Sequence, residues 1–593
     1  MTEFLIANMA PLMFAALVFF LLLGYPVAFA LAANGIVFGL LGIELGLLSP
    51  SLFGALPERL WGIMSNDTLL AIPFFTFMGL ILERSGMAED LLDTIGQLFG
   101  PIRGGLAYAV IFVGALLAAT TGVVAASVIS MGLISLPIML RYGYDRRVAS
   151  GTIAASGTLA QIIPPSLVLI IMADQLGRSV GDMYAGAFIP GMVLASLYAG
   201  YILLLSIAKP AWVPALPPEA RTIREPDGSP GTRSLLVLTI VSVAAAVAFW
   251  YQFFNVRHPD APTDERIVVC MLVGGGVAFA AAVVNHVLKL GLLSKLAERV
   301  TFVLIPPLAL IFLVLGTIFL GVATPTEGGA MGAGGALVMA VARRRLTWRL
   351  MSQGMETTAK LTAFVVFILI GARVFSLTFY GVDGHKWVEH LLTGLPGGQL
   401  GFLIVVNVLV FLLAFFLDFF ELSFIVVPLL GPVAEKLGID LIWFGVLLGV
   451  NMQTSFMHPP FGFALFYLRS VAPAKEYVDK LTKKTMAPIT TGQIYWGAVP
   501  YVVIQVIMIG LVILFPQMVM VYKDDAPKVD PSTIEIQLQG IESGAPPDAG
   551  GTPGAPADEK TPDSKDPLER MLDKQEGDEK DANKALEEAL KAK

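Results

Sequence analysis

The 593-residue chain is short of charge. Only 14% of its residues are Asp, Glu, Lys or Arg, against 56% that are hydrophobic. That balance excludes an ordinary soluble domain. The single cysteine, Cys270, rules out an intrachain disulfide and a cysteine-based metal cluster. The five histidines are scattered with no HExxH pair, so the common zinc-hydrolase motif is missing. No Gly-x-x-x-x-Gly-Lys-Ser/Thr loop occurs, which excludes a Walker-type ATPase. No nucleophile–base pair stands out inside the apolar runs, so an enzyme is not expected. The alternation of an outer-membrane barrel is absent too. The first apolar run has no basic region before it and no Ala-x-Ala exit. It is read as retained spans rather than a cleaved signal.

What the chain does have is long charge-free runs, among them Phe4–Ile43, Gly104–Leu140, Val148–Ala173 and Thr485–Tyr522. A membrane pass needs roughly 20 apolar residues, which predicts an all-α polytopic membrane protein with about 12–16 embedded segments. The net charge of −7 is confined to the end: residues 523–593 hold 18 acidic and 10 basic side chains. That Pro/Gly/Asp-rich tail has too few apolar residues to fold alone. Residues 209–233 form a Pro- and Arg-containing hydrophilic linker, followed by two simple spans near 234–253 and 267–288. Four regions result: a first half (1–208), an insertion (209–299), a second half (300–522) and the tail (523–593). The basic runs Arg343-Arg-Arg345 with Arg349, and Lys480 with Lys483 and Lys484, are expected in the cytoplasm.

The most informative stretch is Gly157-Thr-Leu-Ala-Gln-Ile-Ile-Pro-Pro-Ser166. Pro164 and Pro165 remove backbone donors in the middle of an apolar run. Freed carbonyls in hydrocarbon cost several kcal/mol unless protein or a water-filled cavity meets them. The stretch therefore reads as a span broken for function. It has a partner. Asp145 precedes Pro164-Pro165 by 19 residues, and Asp440 precedes Pro459-Pro460 by 19. Upstream, Gly122 lies 23 residues before Asp145, and Asp418 lies 22 before Asp440. Two halves thus share a hairpin break, a Gly-x-Asp turn, a broken span and a double proline. Such paired breaks point to a midplane site where unwound carbonyls and helix ends meet ions and anions. The candidate ion ligands are Gly122, Ser156, Gly157, Thr158, Thr324, Thr326, Asp418, Asn451 and Thr454. The candidate substrate residues are Gln161, Ser166, Gln453, His458 and Arg373. Close helix packing by small residues is the competing reading for 156–158, a surface loop for Thr324 and Thr326, and snorkelling for Arg373.

Taken with Leu70-Ala-Ile-Pro-Phe-Phe75, Gly321-Val-Ala-Thr-Pro-Thr-Glu-Gly328, Leu437-Gly-Ile-Asp440 and His458-Pro-Pro-Phe-Gly462, the chain resembles the large membrane subunit of tripartite ATP-independent periplasmic (TRAP) transporters. The resemblance covers about residues 1–208 and 300–520. It implies two inverted repeats with re-entrant hairpins, an elevator-type cycle and Na⁺-driven import of a small organic acid across the bacterial cytoplasmic membrane. It also implies a small four-helix membrane subunit and a periplasmic substrate-binding protein. No cofactor, no metal beyond Na⁺ and no nucleic acid are expected. A passive channel, or a proton-coupled anion transporter of another family, is the alternative. The chain departs from the family in its insertion, its tail and Met457-His458 before the second proline pair.

Overall fold

The computed structural model describes residues 2–524 apart from 122–123, 224, 226–230, 259–260, 262, 460–461 and 480–481. Gly122, Pro460 and the acidic tail from 525 onward lie outside the described residues. Seven described helices are long and apolar enough to cross a bilayer: Val27–Glu44, Val180–Ala208, Thr232–Arg257, Glu265–Leu288, Lys295–Phe319, Trp348–Gly381 and Thr491–Leu514. Two bent pairs, Pro50–Met64 with Asp67–Arg84 and Gly384–Thr393 with Gly398–Leu413, raise that to as many as nine. Shorter apolar helices, including Leu167–Leu176 and Leu441–Met457, sit among them. Helix dominates because each helical segment meets its own backbone hydrogen bonds without help from water. The expectation of an all-α chain needs one small correction. Tyr477–Val478 and Thr485–Met486 form a two-residue antiparallel ladder, held where Asp479 turns the loop back on itself.

Polar contacts sort the helix ends into two sets. At one end Arg343 and Arg345 both reach Asp90, and Arg299 reaches Asp93. The chain continues from there through Gly104 N–H to the Val213 carbonyl and Asp145 N–H to the Trp212 carbonyl. Arg141 then grips Asp479 with Nε and Nη2 at 2.9–3.1 Å. This is the basic end. At the other end the Thr326 hydroxyl donates to the Asp67 carbonyl, and Asn66 donates to Asp174. Arg178 pairs there with Glu435, and Lys436 with Glu389.

The helix pair Gly105–Thr121 and Val124–Arg141 has both outer termini at the basic end, where Leu106 N–H donates to the Tyr144 hydroxyl at 3.2 Å. Gly398–Leu413 followed by Phe419–Ile425 and Val427–Lys436 has both outer termini at the opposite end, where Gln399 donates to the Leu437 carbonyl at 2.7 Å. The turn after each pair is built alike. Gly143 and Gly438 take φ of 84° and 75°, a left-handed conformation that glycine adopts at low cost. Gly143 and Tyr144 N–H bond to the Leu140 and Met139 carbonyls, and Gly438 and Ile439 N–H bond to those of Glu435 and Ala434. Both arrangements satisfy the last carbonyls of the preceding helix. Asp145 then caps Arg146–Thr158 through Arg147 and Val148 N–H, and Asp440 caps Leu441–Met452 through Ile442 and Trp443 N–H.

The inserted helices, Thr232–Phe249 and Thr263–Leu288, pack on each other and on Lys295–Phe319. Small residues permit the approach: a Cβ on Gly316 would meet Val268 at 2.7 Å, and one on Gly274 would meet the Ser242 carbonyl at 3.1 Å.

Candidate functional site

Helix Arg146–Thr158 gives way to a 3-10 turn at Leu159–Gln161, then to five non-helical residues, before Leu167–Leu176 resumes. The prolines explain the stop, since neither can donate to a preceding turn. The peptide between Pro164 and Pro165 is cis. Ser166 bridges the gap. Its hydroxyl donates to the Gln161 carbonyl at 2.5 Å and accepts from Val168 N–H at 3.2 Å, so it caps the second helix. In the other half Leu441–Met452 ends at Gln453, Thr454–Met457 makes a single turn, and Phe463–Val471 follows. Pro459 lies in this second interruption.

The two interrupted segments interlock. Leu167–Leu176 packs on Leu441–Met452, and Arg146–Thr158 packs on Phe463–Val471 and on Thr454–Met457. A Cβ on Gly449 would touch Ile162 and Leu169 at 3.7 and 3.8 Å. Each segment therefore brings one helix C-terminus and one helix N-terminus into the buried middle of the fold. The C-terminal ends present carbonyls and partial negative charge; the N-terminal ends present N–H groups and partial positive charge.

The side chains there are polar and enclosed. Gln161 is 1% exposed and Gln453 0%. Neither amide nitrogen nor amide oxygen of either residue has a protein hydrogen-bond partner. A buried polar group left open costs about 1–3 kcal/mol, so this pair calls for a ligand or enclosed water to complete it. Asn451 donates to the backbone and side-chain oxygens of Asn407 at 2.8 and 3.0 Å, which leaves its own Oδ1 open. Ser156 donates to the Thr152 carbonyl, Thr158 to that of Ala155, and Thr454 to that of Asn451, all at 2.7–2.8 Å. With their protons turned back on their own helices, these hydroxyls keep lone pairs for a cation. Oxygen donors of this kind suit a hard ion. Among the described residues no cluster of three or more His, Cys, Asp or Glu could hold a metal.

Other sequence candidates are placed differently. Gly157 packs against the first hairpin: a Cβ there would come within 2.3 Å of Val128 Cγ2, so its lack of a side chain serves close approach. Asp418 begins helix Phe419–Ile425 with a reciprocal capping box, accepting from Glu421 N–H while Glu421 accepts from Asp418 N–H, both at 3.0 Å. His458 is 1% exposed, with its ring stacked 4.1 Å from Phe415 and set edge-on 4.3 Å from Phe411. Thr324 and Thr326 stand at the non-basic end. Thr324 forms an exposed capping box with Glu327, and Thr326 bonds to Asp67. Arg373 is exposed on Trp348–Gly381. Among the described residues, none of these three hydrogen-bonds to a residue of either interruption.

Sequence reasoning missed the support behind the first interruption. Tyr501 Oη lies 2.6 Å from Thr152 Oγ1, and Gln505 donates to Tyr198 Oη at 3.0 Å, all within fully buried surroundings. Asn407 was missed as well. A lone Asn or Gln within a long apolar run was the available signal, since such a residue must find a partner inside the protein.

These features define a polytopic helical membrane protein with paired helix interruptions enclosing a polar centre, the arrangement of a permease. Residues 14–518 match the family model of the tripartite ATP-independent periplasmic transporter, DctM component, and the chain belongs to that family. It is 28% identical over 72% of its length to the C4-dicarboxylate TRAP transporter large permease protein DctM of Pseudomonas aeruginosa, covering 82% of that protein. The protein of the same name from Vibrio cholerae is 26% identical over 78% of the chain and 89% of its own length. The sialic acid TRAP transporter permease protein SiaT of Haemophilus influenzae is 22% identical over 78% of the chain and 61% of its own length. The chain is thus a multi-pass permease subunit of the bacterial inner membrane, not an enzyme. Family membership implies a substrate-binding protein and a small membrane subunit as partners.

Proposed function

We propose that this chain is the sodium-coupled importer subunit for a small organic anion, a carboxylate delivered by a periplasmic substrate-binding protein. The observation that carries the reading is the pair of buried, unpartnered glutamines, Gln161 and Gln453, at interruptions that enter from opposite ends of the fold. Two hairpins and two broken helices arranged in opposite senses form inverted repeats. The basic end faces the cytoplasm by the positive-inside rule. Sodium ions bind to carbonyl and hydroxyl oxygens of Ser156, Thr158, Asn451 and Thr454. The anion meets the N-terminal ends of Leu167–Leu176 and Phe463–Val471 and takes donors from Gln161 and Gln453. A transport domain carrying both interruptions then moves against the remaining helices, and the ion gradient drives the cycle. The small membrane subunit, with four helices, braces the static part. Two relatives named for C4-dicarboxylates favour a dicarboxylate.

The test is uptake of a four-carbon dicarboxylate into proteoliposomes holding this chain and its small subunit, with the loaded binding protein outside. Uptake requires an inward Na⁺ gradient. Equal rates with choline replacing Na⁺ would sink the coupling.

A further inference from the structure

The long apolar helix Thr491–Leu514 runs beside the first interrupted segment, with its backbone against that of Arg146–Thr158. A Cβ on Gly151 would meet the Gly497 carbonyl oxygen at 2.0 Å, and one on Gly497 would meet the Arg147 carbonyl oxygen at 2.2 Å. Glycine at both positions is what lets the two helices come this close. They run the same way from the basic end: Arg147 and Gly151 lie against Gly497, and Thr152 Oγ1 is 2.6 Å from Tyr501 Oη. One turn further along the two helices come Ser156 and Gln505. Thr491–Leu514 also packs on Thr454–Met457 of the second interruption. It therefore touches both broken segments, and Gln505 stands at the level where the first of them ends.

Gln505 differs from Gln161 and Gln453 in how its amide is held. It is 0% exposed, its Nε2 donates to Tyr198 Oη at 3.0 Å, and its Oε1 is buried with no hydrogen-bond partner. Gln161 and Gln453 leave both ends of the amide open; Gln505 is oriented so that the oxygen is the end left over. Tyr198 is itself 0% exposed, with its ring edge-on to Tyr501 at 5.1 Å. A phenol can accept from one neighbour and donate to another, and the Thr158 side chain is the second neighbour of the Tyr198 hydroxyl. Thr158 in turn donates to the Ala155 carbonyl at 2.8 Å. The donors thus run in one direction, from Gln505 through Tyr198 and Thr158 to Ala155. What remains is acceptor capacity, at Gln505 Oε1 and on Thr158 Oγ1. Neutral oxygens of this kind suit a hard cation, whereas an anion needs donors.

We propose that Gln505 is a sodium ligand supplied from outside both interruptions, its Oε1 joining Thr158 Oγ1 on one ion, with Tyr198 as the positioning residue that orients the two. The assignment rests on the sodium reading above and adds to it a residue and a helix that the repeat does not contain.

The full-length chain with its small subunit is purified in detergent and titrated with Na⁺, choline making up constant ionic strength. Binding of radiolabelled Na⁺ and the Na⁺-induced rise in melting temperature are both read. Gln505→Leu weakens Na⁺ binding about ten- to a hundredfold, the worth of one contact to a charged group. In choline alone it melts no lower than wild type, because it removes an open buried oxygen. Tyr198→Phe keeps the ring against Tyr501, drops only the hydroxyl and weakens Na⁺ binding by a smaller factor. Gln505→Glu keeps an oxygen at the position and restores binding. Wild-type Na⁺ affinity in Gln505→Leu overturns the proposal and leaves the amide to an enclosed water. So does a lowered melting temperature with Na⁺ binding intact, which makes Gln505 a packing residue. A wild type that binds no Na⁺ overturns the sodium reading and this assignment with it, so the two failures are told apart. If Gln505→Leu does not fold, Tyr198→Phe decides by the same titration.

Discussion

Replacing Gln161 with leucine separates a binding residue from a structural one. The side chain is 1% exposed, and neither end of its amide has a protein partner. In the ligand-free protein the wild-type residue therefore carries the desolvation cost of an open amide, about 1–3 kcal/mol. Leucine fills nearly the same volume and removes both open groups, so Gln161→Leu is neutral or stabilises the empty protein by up to that amount. For a chain of this size the rise in melting temperature is roughly 1–3 °C. Uptake moves the opposite way. Losing one of the two amide donors offered to the anion costs about 2–3 kcal/mol of binding, or thirty- to a hundredfold in half-saturation. The assay is a thermal melt of the purified subunit in detergent beside uptake in proteoliposomes. The substrate-induced rise in melting temperature seen with wild type should vanish. If Gln161→Leu melts several degrees lower and still transports normally, the amide is an ordinary packing residue and the reasoning is refuted.

Four further outcomes follow from the same geometry. Gly157→Ala forces a methyl within 2.3 Å of Val128 Cγ2 and lowers stability by about 1–3 kcal/mol, read as a lower melting temperature that Val128→Ala partly restores. Ser166→Ala strips the cap from Leu167–Leu176 and costs about 1 kcal/mol, with a raised half-saturating Na⁺ concentration in uptake as the functional readout. Asn407→Leu removes the side-chain acceptor of Asn451 and leaves it only the backbone carbonyl of residue 407, which raises the Na⁺ concentration needed for half-maximal uptake several-fold, with maximal rate less affected. Asp479 has its carboxyl held well below the ordinary carboxylate range, first by Arg141 and then by Thr482 N–H and hydroxyl. A depressed folded pKa gives stability that is present above the unfolded value of about 3.9 and lost as pH falls below it. Limited proteolysis of the 472–490 loop should accelerate below about pH 4 in wild type, and Asp479→Asn should show the same cleavage at neutral pH.

The repeat was legible because its markers are local. Asp145 and Asp440 cap helices through their own side chains, Gly143 and Gly438 need a left-handed φ, and Pro164 and Pro459 withhold donors, so each acts within a few residues. Gln161 and Gln453 were legible as polar residues inside charge-free runs. Long-range partners were not. Arg141 and Asp479 are 338 residues apart, and Thr152 meets Tyr501 across 349; nothing in spacing or periodicity announces either contact. Thr324 and Asp418 show a different limit. Thr324-Pro-Thr-Glu327 and Asp418-Phe-Phe-Glu421 are capping-box patterns, and that pattern by itself does not tell how deeply a helix end is buried. Thr324 turned out to stand exposed, whereas Asp418 caps a helix at the second hairpin's turn. Gly157 carries a packing requirement that spacing does not announce: a Cβ there would come within 2.3 Å of Val128 Cγ2.

Sodium coupling is tested most directly by the simultaneous entry of radiolabelled Na⁺ and radiolabelled dicarboxylate into proteoliposomes carrying the complex. Under an inward Na⁺ gradient, with the loaded binding protein outside, both labels should enter together in a fixed ratio above one, and both should stop with Gln161→Leu and Gln453→Leu combined. Solute entry without Na⁺ entry, at a rate that follows a proton gradient or no gradient, would contradict it.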